Sequence, residues 1–492
     1  MKDFFKRNKY NLLIVFLVGF FIYSIRIIFK VISIDTEVLI NEPNILLNSW
    51  MSIGRFGLVL IKKIFNLIPI NIQLTNIFTF VIFYMSVVIW MINIEKWEKS
   101  KNKYEILIFG ILLIASPIFA EQFGFTLQSL EIAMAFLIFA VSIYFQEKYI
   151  ETNKIWFALI IISTLVFSFM CYQAFMFLYI TICIFNYFIK YKGKMDCKII
   201  IKYIVIFVIA VVLYFIINEI LLNVLDIQKT SYLMEQIKWG TSNFFWILLR
   251  MIAVNIVTTN IFMGVLFDII IACLFVLFSK ILFKKYKVKE NKIFYLIFIA
   301  FFISPFLSGI IKGDVEIYRA KFSLAFLIAF GFYYVINNIE QFKLKKMIIS
   351  FTFMIIVIQI IYSFCLFFID YQRYKEDIEI GNKINSIIEK MDLEKPVVFV
   401  GKKEFKNFPI IGETLGHSFF AWDSTEICGG SKRAIGFLKT LGIYYKLPSQ
   451  EEIEKADTEA VNMPNWPEDG SIVEKEDLII VKLSESKRNV EK

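Results

Sequence analysis

The sequence predicts an all-α polytopic membrane protein of about eleven transmembrane helices, followed by a small α/β C-terminal domain. Three observations carry this. Of 492 residues 58% are hydrophobic, with 55 Phe and a mean hydropathy of +0.67, where a soluble chain of this length needs far more polar surface. Apolar runs of about 20 residues recur between short lysine-rich links, the pattern of membrane-crossing helices. Near residue 371 the composition changes to a charged tail without any spanning run.

The net charge of +10 raises nucleic acid as a partner, but the lysines sit in links between apolar runs. Positive-inside topology accounts for them, and no nucleic-acid partner is expected. The six cysteines show no metal-ligand spacing, and Cys428 stands alone in the polar tail. No small-residue cleavage site follows the first apolar run, so MKDFFKRNKY and that run read as an uncleaved signal anchor.

Each element follows from this rule. Lys2, Lys6, Arg7 and Lys9 hold the N-terminus in the cytoplasm, and the first span, 11–33, runs outward. Arg26 and Lys30 on its outer half read as snorkelling to the interface or as a lipid-phosphate contact. The outer loop 34–72 follows. Its segment Arg55–Pro69 is too short and too charged to cross, which makes it a helix along the membrane surface. Spans at 73–94, 105–120 and 129–146 come next. The run 155–190 is too long for one helix and folds back near Cys171-Tyr172-Gln173. Further spans fall at 200–218, 262–283, 293–311, 320–337 and 347–369, which leaves the tail outside. Every lysine cluster then falls on the inner side. In the tail, Tyr371–Met391 reads as a helix, and VVFVG at 397–401 and DLIIVKL at 477–483 read as strands. The domains are thus 1–370, membrane-embedded, and 371–492, an extracytoplasmic α/β domain.

The outer side carries both signs of charge between apolar helices. Its acids include Asp35, Glu37, Glu42, Glu121 and Glu131, and its cations Arg55, Arg250, Lys312, Arg319 and Lys321. That mixture suits a lipid-phosphate substrate and a hydroxyl acceptor. A carboxylate can take the acceptor's proton, and an arginine can hold a departing phosphate by two bonds. Each residue also has a plainer reading. Asp35 and Glu37 can be wet loop charges, Glu121 beside Gln122 a helix end facing water, and Arg319 an interface anchor. Tyr172-Gln173 can serve only the turn, and His417 reads as structural or solvated. No catalytic triad, zinc spacing or Walker loop is present.

IDTE followed by NSWMSIGRFG resembles the opening of the Gtr-type (Glucos_trans_II) polytopic membrane glucosyltransferases. The likeness continues through SPIFAEQFGF, the CYQAF turn, EIYRAKFS, and the tail segments FVGKKEF, GHSFFAWD and MPNWPEDGSI. The resemblance implies a GT-C-like bundle and a hexosyltransferase. Such an enzyme moves a sugar, glucose by this family, from a polyprenyl-phosphate donor to a cell-surface glycan. The acceptor would be an O-antigen or wall glycan on the outer face of the cell membrane. It assigns Asp35 and Glu37 to catalysis, and Arg55, Glu121, Gln122, Tyr172, Gln173 and Arg319 to substrate binding. Two nearby acids fit either a base or a divalent-cation site, so the metal stays open. The implied partners are membrane lipid, a polyprenyl-phosphate glucosyltransferase and a lipid-sugar flippase. The competing reading is a flippase or exporter of lipid-linked sugars, whose polar residues would line a path near mid-membrane. Here the acids gather at one face instead.

Overall fold

The computed structural model describes residues 2–68, 70–98, 103–191, 196–230, 235–257, 264–285, 292–403, 412–423 and 430–486. Cys428 and the link lysines Lys99, Lys101, Lys192, Lys194, Lys287 and Lys289 lie outside the described residues. The chain forms two compact units: Met1–Lys30 with Leu47–Phe367, and Val31–Leu46 with Phe368–Lys492. The sequence expectation kept all of 34–72 with the membrane helices; its first part, which holds Asp35, Glu37 and Glu42, instead belongs with the tail.

Among the described residues, every regular element of the first unit is a helix. Among the described residues eight helices are long and apolar enough to cross a membrane, from Lys2–Ile28 to Phe342–Ile388, and a bent pair makes a ninth. This is a multi-pass membrane protein. The number eleven also needs Ile155–Cys171 and Phe322–Asn338, which are 17 residues each. The bent pair, Tyr104–Ile114 and Pro117–Gly124, turns by 42°. Its cause is local: Pro117 opens the second helix and lacks the N–H that would continue the first.

Aromatic side chains fill the middle of this bundle. The Phe136 ring lies 4.9 Å from each of Phe119, Phe175 and Phe322, within the range where ring edges and faces attract. Some polar side chains inside the bundle find partners, which an apolar surrounding favours. Asn93 donates to the Ala140 carbonyl at 3.0 Å, and Asn76 to that of Arg26 at 3.0 Å. Arg26 itself neither snorkels nor meets lipid phosphate. It is 2% exposed, donates to Thr126 Oγ1 at 3.2 Å and lies over the Phe367 ring.

The segment expected along the membrane surface forms the helix Phe56–Ile64. Nine residues rise only about 14 Å, less than half a bilayer core. Gly57 allows its close approach to the end of the helix Ile155–Cys171. A Cβ there would stand 2.6 Å from Cys171 Sγ and 2.8 Å from the Cys171 nitrogen. Lys63 is exposed, whereas Lys62 is buried and paired with buried Glu131 at 2.6 Å.

The second unit is α/β. Its three strands β1 (Val397–Val400), β2 (Ile472–Glu474) and β3 (Ile479–Lys482) form a sheet in the order β1-β3-β2. β1 runs parallel to β3 with Val397 opposite Ile479, and β2 runs antiparallel with Ile472 opposite Val481. Parallel pairing needs a long crossover, and the helices Gly430–Thr440 and Gln450–Glu459 lie in it. Val398, Val400, Leu478 and Ile480 pack with Ala456 and Ala460 of the second crossover into a small apolar core. Two strands were legible in sequence; β2 was not. The helix expected at Tyr371–Met391 has no start of its own, because the last membrane helix continues unbroken from Phe342 to Ile388. Buried Asp377 on it bonds to Ser418 and to the Phe419 N–H, anchoring the loop before the first crossover helix.

Candidate functional site

Asp35 and Glu37 come together in the second unit. Asp35 precedes the short helix Thr36–Asn41 with φ +67°, a left-handed conformation that Asp tolerates better than most residues. Its carboxylate makes no capping bond to that helix. Instead Oδ1 accepts from Arg433 Nη2 at 2.9 Å. Glu37, on the helix, lies 3.4 Å from Arg433 Nη1.

Arg433 comes from the helix Gly430–Thr440 and is nearly enclosed, with its guanidinium 4.4 Å from the Trp422 ring centre. Asn41 donates to the Gly436 carbonyl at 2.7 Å, which ties the two helices together. Toward the rim, Lys432 faces Glu42 at 3.6 Å.

The two acids differ in exposure and so in chemistry. The Asp35 side chain is 40% exposed and the Glu37 side chain 3%. Burial pushes the Glu37 carboxyl up to about 7; Arg433 opposes the rise and the Asp35 charge adds to it. Asp35 can therefore meet a solute, while Glu37 shares the charge of Arg433 from inside. The wet-loop reading fails for Glu37 in particular.

A second cluster lies in the first unit. Arg55 stacks over the Tyr172 ring at 4.6 Å, and its Nε donates to Gln173 Oε1 at 3.3 Å. Gln173 Nε2 in turn donates to the Ile53 carbonyl at 2.8 Å and to the Tyr214 hydroxyl at 3.1 Å. The turn at Tyr172-Gln173 thus braces Arg55 as well as reversing the chain. Among the described residues no carboxylate pairs with Arg55. A half-buried guanidinium held by a ring and an amide keeps its Nη atoms available to an anion.

The remaining three candidates lie near one another in the same unit. Glu121 and Gln122 are both buried on the helix Pro117–Gly124, so neither is a helix-end residue in water. That helix packs against the turn Tyr318–Ala320, whose Arg319 lies 4.5 Å over the Phe125 ring. Neither atom of the Gln122 amide has a hydrogen-bond partner among the described residues. His417 is half-buried, its Nε2 3.2 Å from the Gly412 carbonyl.

Sequence reasoning missed Arg433 and Trp422. Trp422 stood inside the quoted GHSFFAWD, and Arg433 inside GSKRAIGFLKT, whose apolar periodicity signals an amphipathic helix. Neither signal reveals that the pair reaches an acid some 400 positions earlier. Arg433 reaches both acids, so the charge between them is supplied by a guanidinium. No three potential metal-ligating side chains gather elsewhere among the described residues.

Residues 24–336 match the family model described as Glucosyl transferase GtrII, more than half of the chain. No curated protein and no solved structure matches it. The matched stretch contains all eight residues singled out from sequence; Trp422 and Arg433 lie beyond its end.

Proposed function

Because the chain belongs to the GtrII glucosyl transferase family, we propose that it transfers glucose from a polyprenyl-phosphate donor to a cell-surface glycan. The transfer takes place at the outer face of the cell membrane, in a bundle of the GT-C kind. The observation that carries this reading is the family match across the loop that holds Asp35. Support comes from the exposed Asp35 carboxylate and from an arginine, Arg55, that pairs with no carboxylate among the described residues.

In the reaction an acceptor hydroxyl attacks the anomeric carbon of the donor. The bond from that carbon to the acceptor oxygen forms as the bond to the phosphate oxygen breaks. Asp35 takes the hydroxyl proton, and the lipid phosphate leaves with the bonding pair. Arg55, braced by Tyr172 and Gln173, suits the phosphate, whose charge grows as it leaves. Arg319 is the second cation for the same role. The donor would be supplied by a polyprenyl-phosphate glucosyltransferase and delivered across the membrane by a lipid-sugar flippase.

The test is Asp35→Asn in the full-length protein. The variant should accumulate normally and lose transfer by about 10²–10⁴-fold, the usual share of a general base. Glu42→Gln, at an acid that pairs with the exposed Lys432, should cost much less. Near-normal glycan glucosylation by Asp35→Asn would end the assignment of the base.

A further inference from the structure

Arg433 lies almost a hundred residues beyond the matched family region, yet it binds the two acids of the first loop. We infer that Arg433 is a positioning residue for the transfer, aiming the Asp35 carboxylate and making the C-terminal unit a working part of the enzyme. This rests on Asp35 acting as the base.

The geometry is specific to that task. A residue in front of a helix, when it is Asp, ordinarily spends its carboxylate on the first free N–H groups. Asp35 does not, and its left-handed backbone turns the side chain to Arg433. The guanidinium fixes Oδ1, while Oδ2 makes no hydrogen bond among the described residues and belongs to a partly exposed side chain. One oxygen is held and the other is presented.

Arg433 is itself held. Trp422 lies against its face, and Glu37 meets its other terminal nitrogen from a buried position. The helix carrying Arg433 approaches closely because Gly436 has no side chain. A Cβ there would stand 3.3 Å from Glu37 Cγ.

One guanidinium thus faces two carboxylates. The charged groups facing Glu37 are Arg433 from the crossover helix and Asp35 from its own segment. Lys432 and Glu42 meet each other at the exposed rim. Without Arg433 the acids would oppose each other with no positive charge between them, and the pair would retain a proton to higher pH. The unpaired acids would then offer less base near neutrality and recover in alkaline solution.

The experiment uses full-length protein in membrane vesicles that carry the native acceptor. A radiolabelled synthetic glucosyl-phosphopolyprenol serves as donor, and rates are measured from pH 5.5 to pH 9. Arg433→Gln should move the acidic limb of the rate profile upward by about one pH unit, so that the loss approaches about tenfold on the acid side of the parental limb and vanishes toward pH 9. Arg433→Lys keeps the charge and should leave the limb near its parental position while lowering kcat, since the two-pronged contact is gone. Glu37→Gln combined with Arg433→Gln removes the opposing acid and should return the limb toward its parental position.

A loss equal at every pH, or a limb that does not move, would overturn the inference. If Arg433→Gln fails to accumulate, the lysine variant and the double variant decide by the same readout. Asp35→Asn assayed in parallel separates the two failures. An active Asp35→Asn protein defeats the base assignment itself. An inactive one beside an unmoved Arg433→Gln limb defeats only the role of Arg433.

Discussion

Lys62 and Glu131 are each only 1% exposed and lie 2.6 Å apart. In sequence Glu131 was one of the outer acids, and Lys62 was one of the charges of the segment Arg55–Pro69, held too charged to cross. Their pairing was not legible, since it joins residues 69 positions apart through packing that no local pattern encodes. Trp50 adds its ring 5.6 Å from the Lys62 ammonium. A buried pair gains little over apolar packing, but losing one partner strands the other charge, at about 3–5 kcal/mol. Lys62→Met should therefore lower the melting temperature of the detergent-solubilised protein sharply. Lys62→Met with Glu131→Met should recover most of that loss. A single variant as stable as the parent would show that the pair contributes nothing to stability. By contrast Asp35 could be singled out as a candidate from sequence alone, because an acid beside a membrane exit needs a reason whatever its partner is.

The helix Phe56–Ile64 shows what can be read at the level of an element. Its existence followed from charge and length, but its placement depends on Gly57, which sequence reasoning passed over as part of GRFG. Gly57→Ala would drive a methyl into the backbone at Met170 and Cys171. Overpacking of this kind costs about 1–3 kcal/mol when the neighbour cannot yield. The helix should shift and take Arg55, the residue immediately before it, off the Tyr172-Gln173 brace. The expected result is accumulation close to normal with transfer reduced at least tenfold, and no rescue by Cys171→Ala, because the backbone contacts remain. Rescue by Cys171→Ala would mean that the Sγ contact alone matters. Elsewhere, element reading failed for identifiable reasons. β2 has three residues, too few for an alternating pattern to show. The helix Gln450–Glu459 did announce itself, through a capping box between Ser449 and Glu452, but its polar composition lacked an apolar stripe to accompany it.

Across the whole molecule the count of crossings decides where the tail lies, and the lysines supply the test. With nine crossings the 17-residue helices Ile155–Cys171 and Phe322–Asn338 stay on one side of the membrane. The links holding Lys198 and Lys284 then face outward, against the positive-inside rule. With eleven crossings every such link faces inward. Seventeen residues rise about 26 Å, close to the 30 Å of a bilayer core, so both short helices can cross with little mismatch. Nine and eleven both leave the tail outside, whereas eight, with the bent pair not crossing, brings it in. Two reporters separate the three cases. A reporter active only outside the cytoplasm should be active when fused after Leu483 and silent when fused after Lys198. Activity at both sites would mean nine crossings and an outward-facing lysine link. Silence after Leu483 would place Arg433 inside the cell, across the membrane from Asp35 at the end of the outward first span. The ion pair between them could then not form, and the aiming of Asp35 by Arg433 would fall with it.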